Sequence, residues 1–146
     1  MTGLRPAPRP DALERIYWTH IARQELRLQC CAACHTYRYP PAPVCPDCGG
    51  TAADWRALSG TGEVVAWTVF HRSYFPGLPA PYAVVSVRTA EGPLLVGNLT
   101  GPAPPAVGLA VRAVFCPARF EDGTEGRICQ WAPADPALSS PEGVSP

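Results

Sequence analysis

The sequence predicts a mainly β protein with one short N-terminal helix and a metal-binding cysteine cluster. Three observations support this class. The 146 residues include 19 prolines and 13 glycines, which interrupt long helices. Two C-x2-C pairs are followed by five apolar segments of strand length, separated by turn-forming residues. The length suits one ordinary domain or two small ones, and 47% of the residues are hydrophobic, enough to bury a core.

The first predicted element is a helix over residues 11–23. Asp11 is a suitable N-cap, and Glu14 follows three residues later, at the spacing of a capping box. Apolar positions then recur at helical spacing through Ile21. A helix this short is marginal alone and must pack against its own domain or against a partner subunit. Tyr17 and Trp18 could serve either contact, and the ten Pro- and Arg-rich residues before the helix are expected to be mobile.

Four cysteines in two C-x2-C pairs predict a metal site. Cys31 and Cys34 form the first pair, Cys45 and Cys48 form the second, and ten residues separate the pairs. Four thiolates fill the tetrahedral positions around zinc and leave no open position for catalysis. We therefore expect one structural zinc ion per chain. The alternative is a set of four reduced cysteines without a metal.

The remaining cysteines and the charge balance narrow the classes of function. Cys30 is expected to be a bystander, and Cys116 and Cys129 are expected to pack as small apolar side chains. The N-terminal residues do not resemble a signal peptide and no segment resembles a membrane helix, so we expect a cytoplasmic protein with reduced thiols. Twelve arginines balance twelve acidic residues and lysine is absent. This composition argues against a nucleic-acid partner and excludes a lysine Schiff base or a P-loop.

Five strands are predicted in the second half of the chain. Their candidate ranges are 63–71, 81–88, 94–99, 110–115 and 127–131. Gly-rich and Asp-Gly turn sequences separate several of them. Trp67 lies at the centre of the first of these strands and is expected in the core. Residues 133–146 have no periodicity and are expected to form a loose tail.

The order of these motifs resembles the zinc-ribbon/OB-fold proteins associated with acyl-CoA enzymes, a family once described only as a domain of unknown function. The matching segments are 26–34, 39–41, 45–49, 60–72, 81–85, 95–99 and 107–112, together with Trp55, so the resemblance covers about residues 12–133. The chain departs from the family at His35, where glycine is usual, and at Cys30, where a polar or basic residue is usual. Neither departure removes a metal ligand.

The resemblance implies a fold and a domain division. It implies a rubredoxin-like zinc ribbon followed by a five-stranded OB-fold barrel. We therefore predict a mobile N-terminus and docking helix over residues 1–24 and a zinc ribbon over 25–52. The OB-fold is predicted over 53–133 and a flexible tail over 134–146.

The resemblance also implies a role. Members of the family form complexes with thiolases, HMG-CoA synthase, thiolase-like steroid side-chain aldolases and MaoC-type hydratases, as accessory subunits that help to hold CoA. We therefore expect a non-catalytic subunit that binds acyl-CoA and a thiolase-like aldolase or acyltransferase, with steroid side-chain degradation as the first candidate pathway. A free-standing enzyme is disfavoured because no common catalytic motif is present. A single-stranded nucleic-acid module is the alternative from another class.

Five side chains are candidates for contact with acyl-CoA or the partner. They are Arg38, His71, Arg72, Tyr74 and Phe75. Arginine suits phosphates and carboxylates because of its bidentate fork, and exposed aromatic rings suit a pantetheine channel or a subunit interface. The plainer alternative for the three basic residues is a solvated surface position. The alternative for the apolar loop 74–79 is a cap that folds back on the barrel. No catalytic residue is predicted.

Overall fold

The computed structural model describes residues 4–135, and this part of the chain contains one helix and nine strands. Strand β1 (Leu4–Arg5) precedes helix α1 (Ala12–Ala22). The predicted capping box is present, because the Asp11 carboxylate accepts from the Glu14 backbone N–H and the Glu14 carboxylate accepts from that of Asp11. No helix in residues 4–135 is long and apolar enough to cross a membrane. Most of the predicted tail, residues 136–146, lies outside the described residues.

The next three strands form a small antiparallel sheet that carries the cysteine cluster. Strand β2 (Arg27–Cys31) lies in the middle, between β3 (Tyr37–Arg38) and β4 (Ala53–Ala57). All five residues of β2 pair with β4, from Arg27 opposite Ala57 to Cys31 opposite Ala53. The sheet of the ribbon therefore runs past the boundary predicted at residues 52 and 53.

The five predicted strands of the second half are confirmed, and together with β1 they form one curled sheet. They are β5 (Thr61–Phe70), β6 (Tyr82–Thr89), β7 (Leu94–Asn98), β8 (Ala110–Phe120) and β9 (Glu125–Pro133). The strand order is β1-β8-β5-β6-β7, and β9 pairs with β8. Leu99 forms a bridge with Trp131, and the Thr100 N–H donates to the Trp131 carbonyl at 2.7 Å. These contacts bring the end of β7 against β9, so the sheet closes on itself as an OB-like barrel.

The N-terminal segment, expected to be mobile, contains a strand that pairs with the barrel. Leu4 lies opposite Arg119 and Arg5 opposite Phe120 in parallel register, and the Glu121 N–H donates to the Arg5 carbonyl at 2.9 Å. Strand β5 pairs with β8 only as far as Arg112. The far half of β8 therefore has a free edge, which can accept another strand.

One continuous core joins the helix, the ribbon and the barrel. It consists of Ile21, Leu26, Leu28, Leu58, Val64, Val85, Val87, Leu95, Val111 and Trp131. Gly97 lies against the Trp131 indole, where a Cβ atom would come within 3.1 Å of the ring. Glycine at this position therefore lets β7 approach the indole closely without displacing it.

Trp67 does not lie in the core, contrary to the prediction. Its side chain is 48% exposed. The reason is the pairing of β5, which has both β8 and β6 as neighbours only up to Glu63 and then continues with β6 alone. A central strand position in the sequence thus becomes an edge position in the fold, and the indole is left partly in solvent.

Candidate functional site

The four predicted ligands lie together at one end of the ribbon. Their sulfur atoms all lie within 4.8 Å of one another. The Cys31 and Cys48 sulfurs are 3.6 Å apart, and so are those of Cys34 and Cys45. Ligands at the usual Zn–S bond length of about 2.3 Å in a tetrahedron have sulfurs about 3.8 Å apart. The arrangement therefore fits a single tetrahedral metal ion with little movement.

The electrostatics of the cluster also call for a cation. Backbone N–H groups of Cys34 and Ala33 donate to the Cys31 sulfur and hold its pKa down, to about 6. The Gly50 N–H has the same effect on Cys48, but the nearby sulfurs of Cys34 and Cys31 outweigh it and raise the pKa of Cys48 to about 12. Four adjacent cysteine thiols do not all ionise at neutral pH unless a positive charge lies between them. A metal ion bound by the four sulfurs would supply that charge.

Each cysteine pair is followed by a residue in the left-handed backbone region. His35 follows Cys34 with a φ of 61°, and Gly49 follows Cys48 with a φ of 74°. Their N–H groups donate to the carbonyls of Cys31 and Cys45, both at 3.0 Å. The two turns are therefore equivalent, and the glycine expected from the family resemblance at position 35 would relieve strain that the exposed imidazole must tolerate.

Arg38 occupies a different place from the one expected. Its side chain is 2% exposed and donates to the carbonyls of Ala42, Gly50 and Ala52, at 3.1, 3.0 and 3.4 Å. A side chain buried in this way is not presented to a phosphate at the surface, so the expected contact with acyl-CoA is corrected. Arg38 instead joins the loops of the ribbon beside the cysteine cluster.

Sequence reasoning missed a second residue with this role. Gln29 is 5% exposed, lies opposite Arg38 in the sheet, and accepts from the Ala42 N–H at 2.8 Å. Together the two side chains fix the loop between the cysteine pairs. The alternation of apolar and polar residues in β2 did not indicate that Gln29 is buried, because the last four residues of this strand are all buried.

The other four candidates lie together at the end of β5. His71, Arg72, Tyr74 and Phe75 are all exposed, with 62% of Tyr74 and 41% of Phe75 accessible. We call this segment the 71–75 loop. None of the ion pairs found within residues 4–135 involves Arg72. The loop therefore exposes two aromatic rings, an imidazole and an arginine that has no carboxylate partner within residues 4–135.

Aromatic stacking supports the 71–75 loop from below. Phe70 and Tyr82 are stacked with centroids 5.0 Å apart and planes inclined by 6°, and Tyr74 meets Phe70 edge-on at 5.9 Å. After the loop, Leu78 turns inward and is 5% exposed. Leu78 therefore covers the barrel, as the capping alternative expects, while Tyr74 and Phe75 are exposed and their predicted contact with acyl-CoA or a partner stays a prediction.

The remaining aromatic candidates pack on the protein itself. Tyr17 and Trp18 are half-buried and contact the core, and their rings meet edge-on at 5.6 Å. Tyr17 also lies 5.6 Å from the ring of Tyr39, which is 39% exposed. The helix is thus docked on its own domain, and the ring of Tyr39 continues this aromatic contact to the surface.

Comparison with known families identifies both parts of the chain. Residues 18–54 match the model of the ChsH2 rubredoxin-like zinc ribbon domain. Residues 55–116 match the model of the ChsH2 C-terminal OB-fold domain. Together these matches cover the cysteine cluster, the 71–75 loop and most of the barrel.

Individual relatives agree with this result. A probable enoyl-CoA hydratase alpha subunit from Thermomonospora curvata is 36% identical over 95% of this chain and 39% of its own length. A 3-oxo-4,17-pregnadiene-20-carboxyl-CoA hydratase alpha subunit from Mycobacterium tuberculosis is 31% identical over 73% of this chain and 37% of its own length. The chain thus spans about two fifths of either relative.

A solved structure matches the whole architecture. It is described as an Ltp2-ChsH2(DUF35) aldolase, and the matching chain is 33% identical to this one. The superposition has a TM-score of 0.79 and covers 88% of this chain and 100% of the other. The agreement therefore extends over the ribbon and the barrel as one arrangement.

Proposed function

The chain belongs to the ChsH2-type (DUF35) family of zinc-ribbon/OB-fold proteins, and from this premise we propose that it is an accessory subunit of a thiolase-like acyl-CoA enzyme. The names of the relatives support this proposal, since two are alpha subunits of CoA-ester hydratases and one belongs to an aldolase. In this role the chain contributes a docking surface and ligand contacts, and the partner contributes the reacting groups.

The 71–75 loop is the observation that carries the proposal. Surfaces that bind proteins are enriched in tyrosine, phenylalanine, tryptophan and arginine at their centres. The loop presents Arg72, Tyr74 and Phe75, and the half-exposed Trp67 lies on the strand that leads into it. Because the stack of Phe70 on Tyr82 already holds the loop, little conformational entropy is lost when a partner binds.

We propose that the same loop contacts the CoA part of the substrate where it leaves the partner enzyme. Arg72 offers a guanidinium for a phosphate, and His71 offers a second polar group beside it. The ring of Tyr74 offers a face for the adenine or the pantetheine arm. Arg38 is not included, because its guanidinium is committed to the ribbon.

The four-cysteine cluster is proposed to hold one structural zinc ion per chain. Zinc bound by four thiolates has no free coordination position, so it contributes to folding and takes no part in a reaction. The chain's own residues orient the ligands, through the Cys34 and Ala33 N–H groups on Cys31 and the Gly50 N–H on Cys48.

The partner we propose is a thiolase-like aldolase or acyltransferase, with an aldolase as the first candidate because of the matched structure. A steroid side-chain CoA ester is the first candidate substrate, since the pregnadiene-carboxyl-CoA hydratase subunit from Mycobacterium tuberculosis is a relative. A simple acyl-CoA acyltransferase complex is the alternative.

The test is co-expression with candidate thiolase-like aldolases and acyltransferases from the same genome, followed by size-exclusion chromatography and an acyl-CoA cleavage assay. We expect a co-eluting complex that is active only with both chains present. Replacing Tyr74 and Phe75 by alanine should abolish co-elution, whereas Val107→Ala, at an apolar residue exposed elsewhere, should not. A chain that ignores the partner but binds single-stranded oligo-dT would favour the nucleic-acid alternative.

A further inference from the structure

The barrel contains a cavity of about 720 Å³ that is distinct from the exposed face of the 71–75 loop. It lies between the β8–β9 hairpin, the start of β6 and the segment that follows β7. Its walls are largely apolar, and they include Leu78, Pro81, Leu99, Ala118 and Ile128. A cavity of this size and lining is typical of sites for small molecules with an apolar body.

One cation lines this cavity without an acidic partner. Arg5, from β1, is the one charged residue among the described residues that line it. The Arg5 guanidinium donates to the Asn98 side-chain oxygen at 3.1 Å, and the Asn98 amide group in turn donates to the Ala83 carbonyl at 3.3 Å. Asn98 therefore orients the guanidinium and leaves most of its N–H groups for another acceptor.

A second polar group faces the same space. Gln130 lines the cavity and is 5% exposed, and its side-chain amide makes no hydrogen bond to residues 4–135. Its amide N–H groups are therefore available to a ligand in the cavity. Arg5 and Gln130 together offer donors, and a negatively charged acceptor is a group that both can bind.

We propose that this cavity binds a small carboxylic acid with an apolar body, with the carboxylate on Arg5 and the apolar part between the walls. A carboxylate supplies two oxygens, which suits the guanidinium fork and leaves a lone pair for the Gln130 amide. Among the described residues, the site is formed by the barrel, its loops and β1. The inference therefore goes beyond the accessory role and does not depend on the partner enzyme.

Titration calorimetry of the zinc-loaded full chain tests the proposal with octanoate and octanamide, which have the same apolar body but differ in charge. We expect octanoate to bind at least about tenfold more tightly, since a hydrogen bond to a charged group contributes more than a neutral one. Arg5→Gln should remove this preference and Arg5→Lys should keep most of it. Arg119→Gln is the matched control, because this exposed arginine on the paired strand is not part of the lining.

Gln130→Glu provides a test that does not alter β1. It places a carboxylate in the cavity, so octanoate binding should be lost by repulsion while octanamide binding persists. The proposal is overturned if octanoate does not bind, if octanoate and octanamide bind equally, or if Arg5→Gln and Arg119→Gln have the same effect. Thermal melting of each variant identifies any loss of fold.

Discussion

Replacing Arg38 with methionine should destabilise the ribbon and weaken its hold on metal. Methionine has a similar length but no donors, so the Ala42 carbonyl would lose its donor, while the carbonyls of Gly50 and Ala52 would keep only their backbone donors. The guanidinium also lies beside the sulfurs of Cys31 and Cys45, which raise its pKa although burial opposes this. The substitution thus removes hydrogen bonds and positive charge at the same place.

The magnitude follows from these contacts. A hydrogen bond to a charged group contributes about 1.5–3 kcal/mol, and the two contacts near 3.0 Å are the strong ones. The Ala42 carbonyl would be left without a donor and the charged donor would be lost, so we expect a loss of stability of about 1.5–3 kcal/mol. Groups that orient metal ligands typically change metal affinity by about 10–100-fold when they are removed.

Urea unfolding and competition with a chromogenic zinc chelator measure the two effects. Arg56→Met is the matched control, because Arg56 is 47% exposed and its pair with Asp54 is 3.8 Å long, which should change stability by less than about 1 kcal/mol. Arg38→Lys should be intermediate, since an ammonium lacks the planar fork that reaches several carbonyls. If Arg38→Met matches the Arg56→Met control in stability and zinc affinity, the role assigned to Arg38 is wrong.

Three further predictions concern strain, packing and pH. His35 has a φ of 61° and Gln24 a φ of 62°, a backbone region that glycine adopts without strain. His35→Gly and Gln24→Gly should therefore each raise the free energy of unfolding, measured in urea, by about 0.5–1 kcal/mol. A lower free energy of unfolding in both variants would contradict this argument. Gly62→Ala should lower the free energy of unfolding by about 1–3 kcal/mol, because the new Cβ would lie 2.5 Å from a Val87 methyl carbon. An unchanged melting temperature would contradict this prediction. Burial raises the pKa of Cys129 to about 12, so the folded state keeps a proton that the unfolded state releases above about pH 9. The free energy of unfolding should therefore fall as the pH rises from about 9 to 12, and it should fall less steeply in Cys129→Ala than in the unaltered chain.

The elements that the sequence predicted well depend on local chemistry. The cysteine pairs, with their fixed spacing, and the Asp11 capping box are complete within a few residues each. The five strands of the barrel are bounded by turn residues that act on their immediate neighbours. In each case the sequence pattern and the structure that it forms lie in the same short segment, so the pattern alone predicts the element.

The features that the sequence did not predict depend on which strands pair. Trp67 lies at the centre of a predicted strand, but its side chain is half-exposed because the pairing of β5 with β8 ends at Glu63. Arg5 lines the cavity because the part of β8 that does not pair with β5 has a free edge, and β1 pairs with that edge. Arg38 is buried because β3 pairs with the middle of β2. The pairing of distant segments cannot be predicted from the sequence of any one segment. The surroundings of these three residues could therefore be seen only in the structure.

The shared core connects the ribbon, which carries the cysteine cluster, with the barrel that supports the 71–75 loop. Leu26 and Leu28 of the ribbon pack in one cluster with Val85 of β6 and Trp131 of β9, and Leu58 joins them from the link between the two sheets. A metal ion bound by the four cysteines would hold the loops that flank β2, and β2 supplies part of the core on which the barrel closes. The barrel in turn fixes Tyr82, on which Phe70 stacks beneath the 71–75 loop. A metal ion in the cysteine cluster would therefore stabilise the proposed docking surface through the core, without contacting a partner itself.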